Sequence, residues 1–346
     1  MPSCPLPRPR GPISQHLIDA LQKSPEAARD LLTPPVPEDL GPDPAGDDDV
    51  QLALYLCYEL HYRGIDGVDD AWEWNPGLLA VRAVLERAFE GAVRELVTTT
   101  PAVDPLAMDL ALAQLIRDDD GPALSSFVER KASVDQIREM LVHRSAYQLK
   151  EADPHSFALP RLWGRPKAAM VEIQVDEYGG GKPDRIHADL YATMMRELDL
   201  DGDYGAYVDL IPGTTLATVN LASMFGLHRR LRGACTGHLA LTEMTSSVPS
   251  RRYAAGLRRL GYTSVAATDF YDEHVEADAV HESIAAVDLA GGLAQQELSL
   301  GQDAIFGAAA LLALEDRFAR QVLAAWDADE SSLRQPLPAA RATVAG

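Results

Sequence analysis

The sequence predicts an all-α protein, and three observations support this. The composition is 47% hydrophobic but only 6% aromatic, and its apolar part is mostly alanine and leucine, which have high helix propensity. Apolar residues recur at three- and four-residue steps, as at Leu52, Leu56 and Leu60. The polar/apolar alternation typical of strands is scarce. We therefore expect helices throughout a chain long enough for one large or two ordinary domains.

The chain divides into four predicted segments. Residues 1–46 hold eleven of the 23 prolines, which predicts a mostly irregular arm with a short helix at Ile13–Lys23. Residues 47–139 form an N-terminal helical segment, expected to add a layer or a dimer surface. Residues 140–326 hold the candidate chemistry. Residues 327–346 are rich in proline and alanine, and a flexible tail is expected there.

Five predicted helices carry the candidate functional residues. They are expected at Ser145–Ala152, Lys167–Tyr178, Arg185–Leu198, Leu227–Met244 and Ala266–Leu289. A further helix is expected at Ser250–Leu260, after Pro249, and the three glycines at 179–181 separate the second helix from the third.

The formal net charge of -21 limits the classes of partner. An acidic surface repels nucleic acid and anionic membranes, because both carry phosphate. No run reaches the roughly 18 apolar residues of a spanning helix, and no secretory signal is visible. Cys4, Cys57 and Cys235 match neither a disulfide framework nor a zinc motif. We therefore expect a cytoplasmic protein without nucleic-acid or membrane partners.

The strongest local pattern is His274-x-x-x-Asp278-x-x-His281. At 100° per residue, Asp278 lies about 40° from His274, and His281 lies about 20° away on the other side. Two imidazoles and a carboxylate on one helix face are ligands that iron accepts with positions left open. One helix cannot complete such a site, so other helices must supply carboxylates.

Acidic residues on apolar helices are the candidates for those carboxylates, because burying an unpaired acid is costly. Glu243 is the single acid between Gly237 and Ser247. Glu177 precedes the three glycines, and His187 starts the next predicted helix. Glu151 closes the helix before Pro154. Each of these residues taken singly is more typical of a cap or a surface position than of a ligand.

The order and spacing of these residues resemble the haem-oxygenase-like di-iron oxidases, often described as iron-containing redox enzymes. Their pattern is a Glu on one core helix, a Glu and a His on a second, a Glu on a third, and His-x-x-x-Asp-x-x-His on a fourth. The resemblance covers roughly residues 140–325 and implies a helical bundle of about seven core helices with the N-terminal segment added. The ligands that it implies are Glu151, Glu177, His187, Glu243, His274, Asp278 and His281.

The second family helix leaves an alternative open. Some members place its Glu and His closer together on one unbroken helix, whereas Gly179–Gly181 interrupts this chain between Glu177 and His187. A distorted helix is implied there, and Glu172 and Asp176 are rivals to Glu177. Asp189, Glu282 and Asp288 are candidates for orienting the imidazoles, and the sequence does not select among them.

The resemblance also implies a reaction. Two Fe(II) ions would bind O₂ as co-substrate and reduce it to a bridging peroxo species that attacks a small substrate. An amine, amino-acid or fatty-acid-derived substrate is expected, with N-oxygenation, oxidative decarboxylation or C–C cleavage in specialised metabolism. An external electron donor and a homodimer are further expectations. The alternatives are a non-catalytic metal-binding protein and a haem- or thiamin-type enzyme on the same fold.

Overall fold

The computed structural model describes residues 3–28 and 40–338, with the side chains of residues 276–280 outside the description. The all-α prediction is confirmed. The one β-type pairing among these residues is an isolated bridge between Cys4 and Ile65.

Among the described residues, the N-terminal part of the chain contributes five α-helices. They are α1 (Pro12–Leu21), α2 (Asp48–Glu59), α3 (Pro76–Leu96), α4 (Met108–Asp118) and α5 (Leu124–Arg130).

The C-terminal part holds the helices that carry the candidate ligands, and a π-helical stretch (Ile284–Gly291) directly follows α12. They are α6 (Val134–Gln148), α7 (Asp153–Ser156), α8 (Gly164–Glu177), α9 (His187–Glu197), α10 (Gly213–Leu227), α11 (Arg232–Arg259), α12 (Val265–Ser283), α13 (Gly292–Gln296) and α14 (Leu298–Asp327).

Local sequence explains where α6 begins. The Ser133 side chain accepts from the backbone N–H of Gln136, and the Gln136 side chain accepts from the backbone N–H of Ser133. This capping box satisfies two donors that a helix start otherwise leaves unpaired.

Helix α11 is one continuous helix of 28 residues, although two helices, Leu227–Met244 and Ser250–Leu260, were predicted around Pro249. Tertiary packing outweighs the local effect of the proline. Gly237 lies so close to the Ala304 carbonyl of α14 that a Cβ would overlap it, and Gly307 approaches Ala234 in the same way. These small residues let α11 and α14 pack backbone to backbone, which holds α11 in place.

Helix α14 is long and apolar enough to cross a membrane by length and composition alone. Half of its most apolar window is buried inside the protein. Its Phe318 and Trp326 are among the buried core residues, as is typical of a core helix.

Helix α1 and the segment directly after α14 both join the main core. Leu17 of α1 belongs to the same hydrophobic cluster as the C-terminal helices. After α14, Ser331 and Ser332 donate to the buried Glu139 of α6. Part of the predicted flexible tail, residues 339–346, lies outside the described residues.

Candidate metal centre

Glu151 lies in the turn after α6, not on the predicted helix Ser145–Ala152, because α6 ends at Gln148. Gln148 is on the last turn of α6. With its amide nitrogen facing Glu151, it donates to both carboxylate oxygens at 2.7 and 3.1 Å. The end of α6 thereby holds the Glu151 carboxylate in position.

Glu177 and His187 lie on two separate helices, as the sequence predicted on either side of the glycines, and not on the distorted helix that the family resemblance implied. Helix α8 ends at Glu177 and α9 begins at His187. Gly179 between them has φ 68°, a left-handed conformation that favours glycine. A Cβ there would lie 2.6 Å from the carbonyl carbon of Arg185. The glycine turn therefore folds the chain back and brings His187 against Glu177.

Four candidate ligands form one buried group: Glu151, Glu177, His187 and His274. Each offers a ligand atom, and these atoms lie within 4.8 Å of one another. Glu177 Oε2 is 3.1 Å from His187 Nδ1, and Glu151 Oε1 is 3.5 Å from His274 Nε2. The structure thus brings together residues from α8, α9, α12 and the turn after α6.

Glu243 and His281 form an adjoining pair, with Glu243 Oε2 3.4 Å from His281 Nδ1. A cavity of about 20 Å³ is lined by Glu243 together with Glu151, Glu177 and His274. A space of this size holds roughly one water-sized sphere. Glu243 therefore faces the same space as the four-residue group. Asp278, the seventh predicted ligand, lies outside the residues whose side chains are described.

Buried polar atoms without hydrogen bonds collect at this site. Within the described part of the chain they include Glu177 Oε2, His187 Nδ1, His274 Nε2 and His281 Nδ1. All four lie 3.1 to 3.5 Å from a carboxylate or imidazole atom of the site without the alignment of a hydrogen bond. Buried polar atoms are normally satisfied. A metal ion such as iron would satisfy these nitrogen and oxygen atoms once it has displaced their protons.

The charges of the site act on the pKa values of its imidazoles. Burial alone would lower the pKa of His274, but Glu151 and Glu177 attract its proton more strongly and raise the pKa to about 10. Burial is likewise outweighed at His281, where Glu243 and Asp176 raise the pKa to about 9. The site without metal therefore holds protons at neutral pH that a metal would have to displace.

The reciprocal effect lowers the pKa of Glu177. Burial would raise it, but the facing imidazoles His187, His274 and His281 favour the carboxylate form. The pKa of His187 is raised, because Glu177 outweighs burial.

Two imidazoles are oriented by partners outside the predicted ligand set. His274 Nδ1 donates to the Phe270 carbonyl at 2.7 Å, which leaves Nε2 facing Glu151. His281 Nε2 lies 2.8 Å from Asp176 Oδ2, which leaves Nδ1 facing Glu243. Such outer partners set which nitrogen can bind a metal. The contact to Phe270 uses its backbone carbonyl, so no residue type in the sequence could have indicated it.

The structure also gives the positions of the residues that the sequence left open as rival ligands or as partners that orient the imidazoles. Glu172 is exposed on α8, and Asp176 contacts His281 from outside the buried group. Asp288 pairs with Arg165, Glu282 is exposed, and Asp189 lines a cavity beside His187.

A histidine pair that the sequence did not predict lies next to the site. His155 Nε2 is 3.0 Å from His238 Nδ1, and both side chains are buried. Burial lowers the pKa of His155 to about 4 and lowers the pKa of His238 well below its usual range. Both imidazoles are therefore neutral at physiological pH, in contrast to those of the metal centre.

A cavity of about 280 Å³ opens beside the cluster. Glu151 and His274 form part of its wall, and apolar side chains such as Leu241, Phe270 and Leu311 form much of the rest. An apolar cavity with a few polar groups is typical of a small-molecule site. A ligand in this cavity would lie against two of the candidate metal ligands.

Known proteins connect this geometry to a family. The sequence model of the iron-containing redox enzymes matches residues 138–316, more than half of the chain and nearly all of the segment that carries the cluster. No curated protein shows significant sequence similarity to the chain. The chain belongs to the iron-containing redox enzyme family.

Proposed function

We propose that this protein is a non-haem di-iron oxygenase that uses O₂ to oxidise a small molecule bound in the 280 Å³ cavity. The proposed ligands are those expected from the sequence: Glu151, Glu177, His187, Glu243, His274, Asp278 and His281.

One observation carries the proposal: four buried ligand atoms of this set have no hydrogen-bond partner among the described residues. Carboxylates and imidazoles are the ligands of non-haem iron. Two adjoining groups, Glu151–Glu177–His187–His274 and Glu243–His281, supply more ligands than one ion needs. Two ions explain the complete set better than one.

The residues around the proposed site have separate tasks. Iron supplies O₂ activation when bound. Phe270 and Asp176 orient the imidazoles of His274 and His281, and Gln148 holds Glu151. The apolar cavity wall excludes water from the reacting substrate.

Anaerobic reconstitution with Fe(II) tests the proposal. We expect about two irons per chain, from the two-metal logic of such sites, and rapid O₂ consumption by the loaded protein. Glu177→Gln should lose iron and O₂ consumption together. Glu172→Gln, an exposed position on the same helix, is the matched control and should retain both. Failure of the parent protein to bind Fe(II) would sink the proposal.

Experiments on the same reconstituted protein distinguish the proposed function from the alternative functions. A non-catalytic metal-binding protein would hold iron but would consume O₂ no faster with candidate substrates than without them. A haem enzyme would show a Soret band after reconstitution with haem. We expect no such band and a transient visible absorption after O₂ mixing that decays faster with substrate.

A further inference from the structure

The cavity beside the metal centre contains a second set of charges that the proposed metal site does not use. Arg144 of α6 and Glu315 of α14 both line it. Their side chains join through two parallel hydrogen bonds, Nη1 to Oε1 and Nη2 to Oε2, both of 2.6 Å. Arg144 also stacks over the ring of Phe318, 4.3 Å from its centroid. The pair is therefore held rigidly on the cavity wall.

The pair remains accessible from the cavity. About 23% of the Arg144 side chain and 30% of the Glu315 side chain are exposed. Two of the five N–H bonds of the guanidinium serve Glu315, and a carboxylate has about four lone-pair sites. Both partners therefore have capacity for a further ligand.

The position of the pair relative to the metal centre sets how a ligand would lie. Arg144 is one helical turn, about 6 Å, before Gln148 on α6, and Gln148 contacts Glu151. Tyr147 lies between the two sets of charges. Burial raises the pKa of its hydroxyl, and Glu151, Glu177, Glu243 and Glu315 raise it further. A ligand whose charged end lies at Arg144 can extend through the same cavity towards Glu151 and His274, which also line it.

The net charge of the Arg144–Glu315 pair determines which charged groups a ligand can place against it. Arg144 and Glu315 neutralise each other, so the pair has no net charge to offer a singly charged ligand. A lone carboxylate on Arg144 would lie close to Glu315, and a lone ammonium on Glu315 would lie close to Arg144. Like charges placed together in this way are costly. An ammonium and a carboxylate on one carbon can address both partners at once.

We propose that Arg144 and Glu315 recognise the zwitterionic head group of an α-amino acid, whose side chain extends towards the metal centre. This inference rests on the proposed function and names the substrate class of that site. The carboxylate contacts Arg144, the ammonium contacts Glu315, and oxidation takes place at the far end of the side chain. Simple carboxylic acids and simple amines are then poor ligands.

Binding calorimetry with matched compounds tests the proposal. The probes are the proteinogenic amino acids and two triads: L-norleucine, hexanoic acid and n-pentylamine; and L-phenylalanine, 3-phenylpropanoic acid and 2-phenylethylamine. For at least one triad we expect the amino acid to bind at least about tenfold more tightly than both analogues, because each analogue leaves one like-charge contact.

Two single variants should change this preference in opposite directions. Glu315→Gln leaves a positive wall, so the carboxylic acid should become the preferred member of its triad. Arg144→Gln leaves a negative wall, so the amine should become the preferred member. The double variant, which leaves no unpaired charge, should lose the preference and keep the helical circular dichroism of the parent. Arg317→Gln breaks another Arg–carboxylate pair on α14, with Asp43, and should leave the ranking unchanged.

Three results would overturn the proposal. They are, in both triads, an acid or amine that binds the parent as tightly as its amino acid; an absence of binding by every amino acid; and an equal loss of all three triad members in both single variants. The measurements are made on metal-free protein and on Fe(II)-loaded protein under nitrogen. If iron does not bind, the head-group preference can still be measured on the metal-free protein. If the head-group preference is absent, iron content and O₂ consumption are unaffected.

Discussion

Two buried clusters of ionisable groups meet at the peptide bond between Lys150 and Glu151, and they differ in whether their hydrogen bonds are complete. Lys150 donates to Glu59 at 2.7 Å, and Tyr204 donates to the other oxygen of Glu59 at 2.5 Å. The ammonium of Lys150 also lies 4.2 Å from the ring centroid of Tyr62. The neighbouring cluster around Glu151 is also largely buried but keeps four ligand atoms without hydrogen bonds.

The contrast shows how a structural cluster differs from a ligand site. A buried network that satisfies its own members rigidifies a core. A buried network that does not satisfy them is unfavourable unless another group completes it. The two clusters adjoin each other and both consist of ionisable groups, and the unsatisfied atoms distinguish the candidate metal site from the structural pair.

The largest expected effect is the pH dependence of metal affinity. Zn(II) or Fe(II) must displace the protons of His274 and His281, whose pKa values are about 10 and about 9. Each displaced proton contributes about tenfold per pH unit, so affinity should rise about 10⁴-fold from pH 6 to pH 8. Chelator competition measures this slope.

The same pKa shifts set the stability of the metal-free protein. The pKa values of both imidazoles are raised by folding, so their stabilising contribution is complete below about pH 6.5. It should be lost as the pH rises through 9 and 10, which urea denaturation can follow. His274→Gln should remove one proton from the metal-binding slope, and a slope below one in the parent would contradict the assigned charge states.

The second prediction concerns the hydrogen-bonded cluster of Lys150, Glu59 and Tyr204. Glu59→Gln removes the charge that balances buried Lys150 and should lower the free energy of unfolding by about 3–5 kcal/mol. Urea denaturation measures the change. Glu129→Gln removes an exposed ion pair of 3.7 Å with Arg130 and should change stability by less than about 0.5 kcal/mol. Equal effects of the two variants on the free energy of unfolding would contradict a structural role for the Glu59 cluster.

The third prediction concerns Asp176, which is expected to orient His281 without binding the metal itself. Asp176→Asn weakens the contact that orients His281 and should reduce metal affinity by about 10–100-fold. Chelator competition at pH 7 measures it, with Glu172→Gln as the control on the same helix. Loss of one whole metal equivalent would instead make Asp176 a ligand.

The smallest expected effect concerns the turn that separates Glu177 from His187. Gly179→Ala and Gly180→Ala both place alanine at positive φ, but only the first meets neighbouring backbone, since nothing lies within 4 Å of a Cβ at Gly180. Gly179→Ala should therefore cost about 1 kcal/mol more stability than Gly180→Ala. It should also weaken metal binding, and equal effects of the two substitutions would show that the close turn is not needed.

Much of the site follows from local rules. The i, i+4 and i+7 positions of a helix share one face, which is why the pattern at 274–281 predicts a ligand face without any tertiary information. His274 and His281 do face the buried carboxylates Glu151 and Glu243. Local rules predicted a new helix after the three glycines, and α9 does begin at His187, but they failed at the end of α6, beyond which Glu151 lies.

The sequence by itself determined the helical class, the ligand face of α12 and the residue types that iron requires, because these depend on propensity and helical period. Only the tertiary structure decided which acids meet which imidazoles, and that Arg144 and Glu315, 171 positions apart, lie on one cavity wall. Such pairings depend on how α6, α11, α12 and α14 pack, and packing is set by side-chain shape over the whole core, which no local pattern encodes.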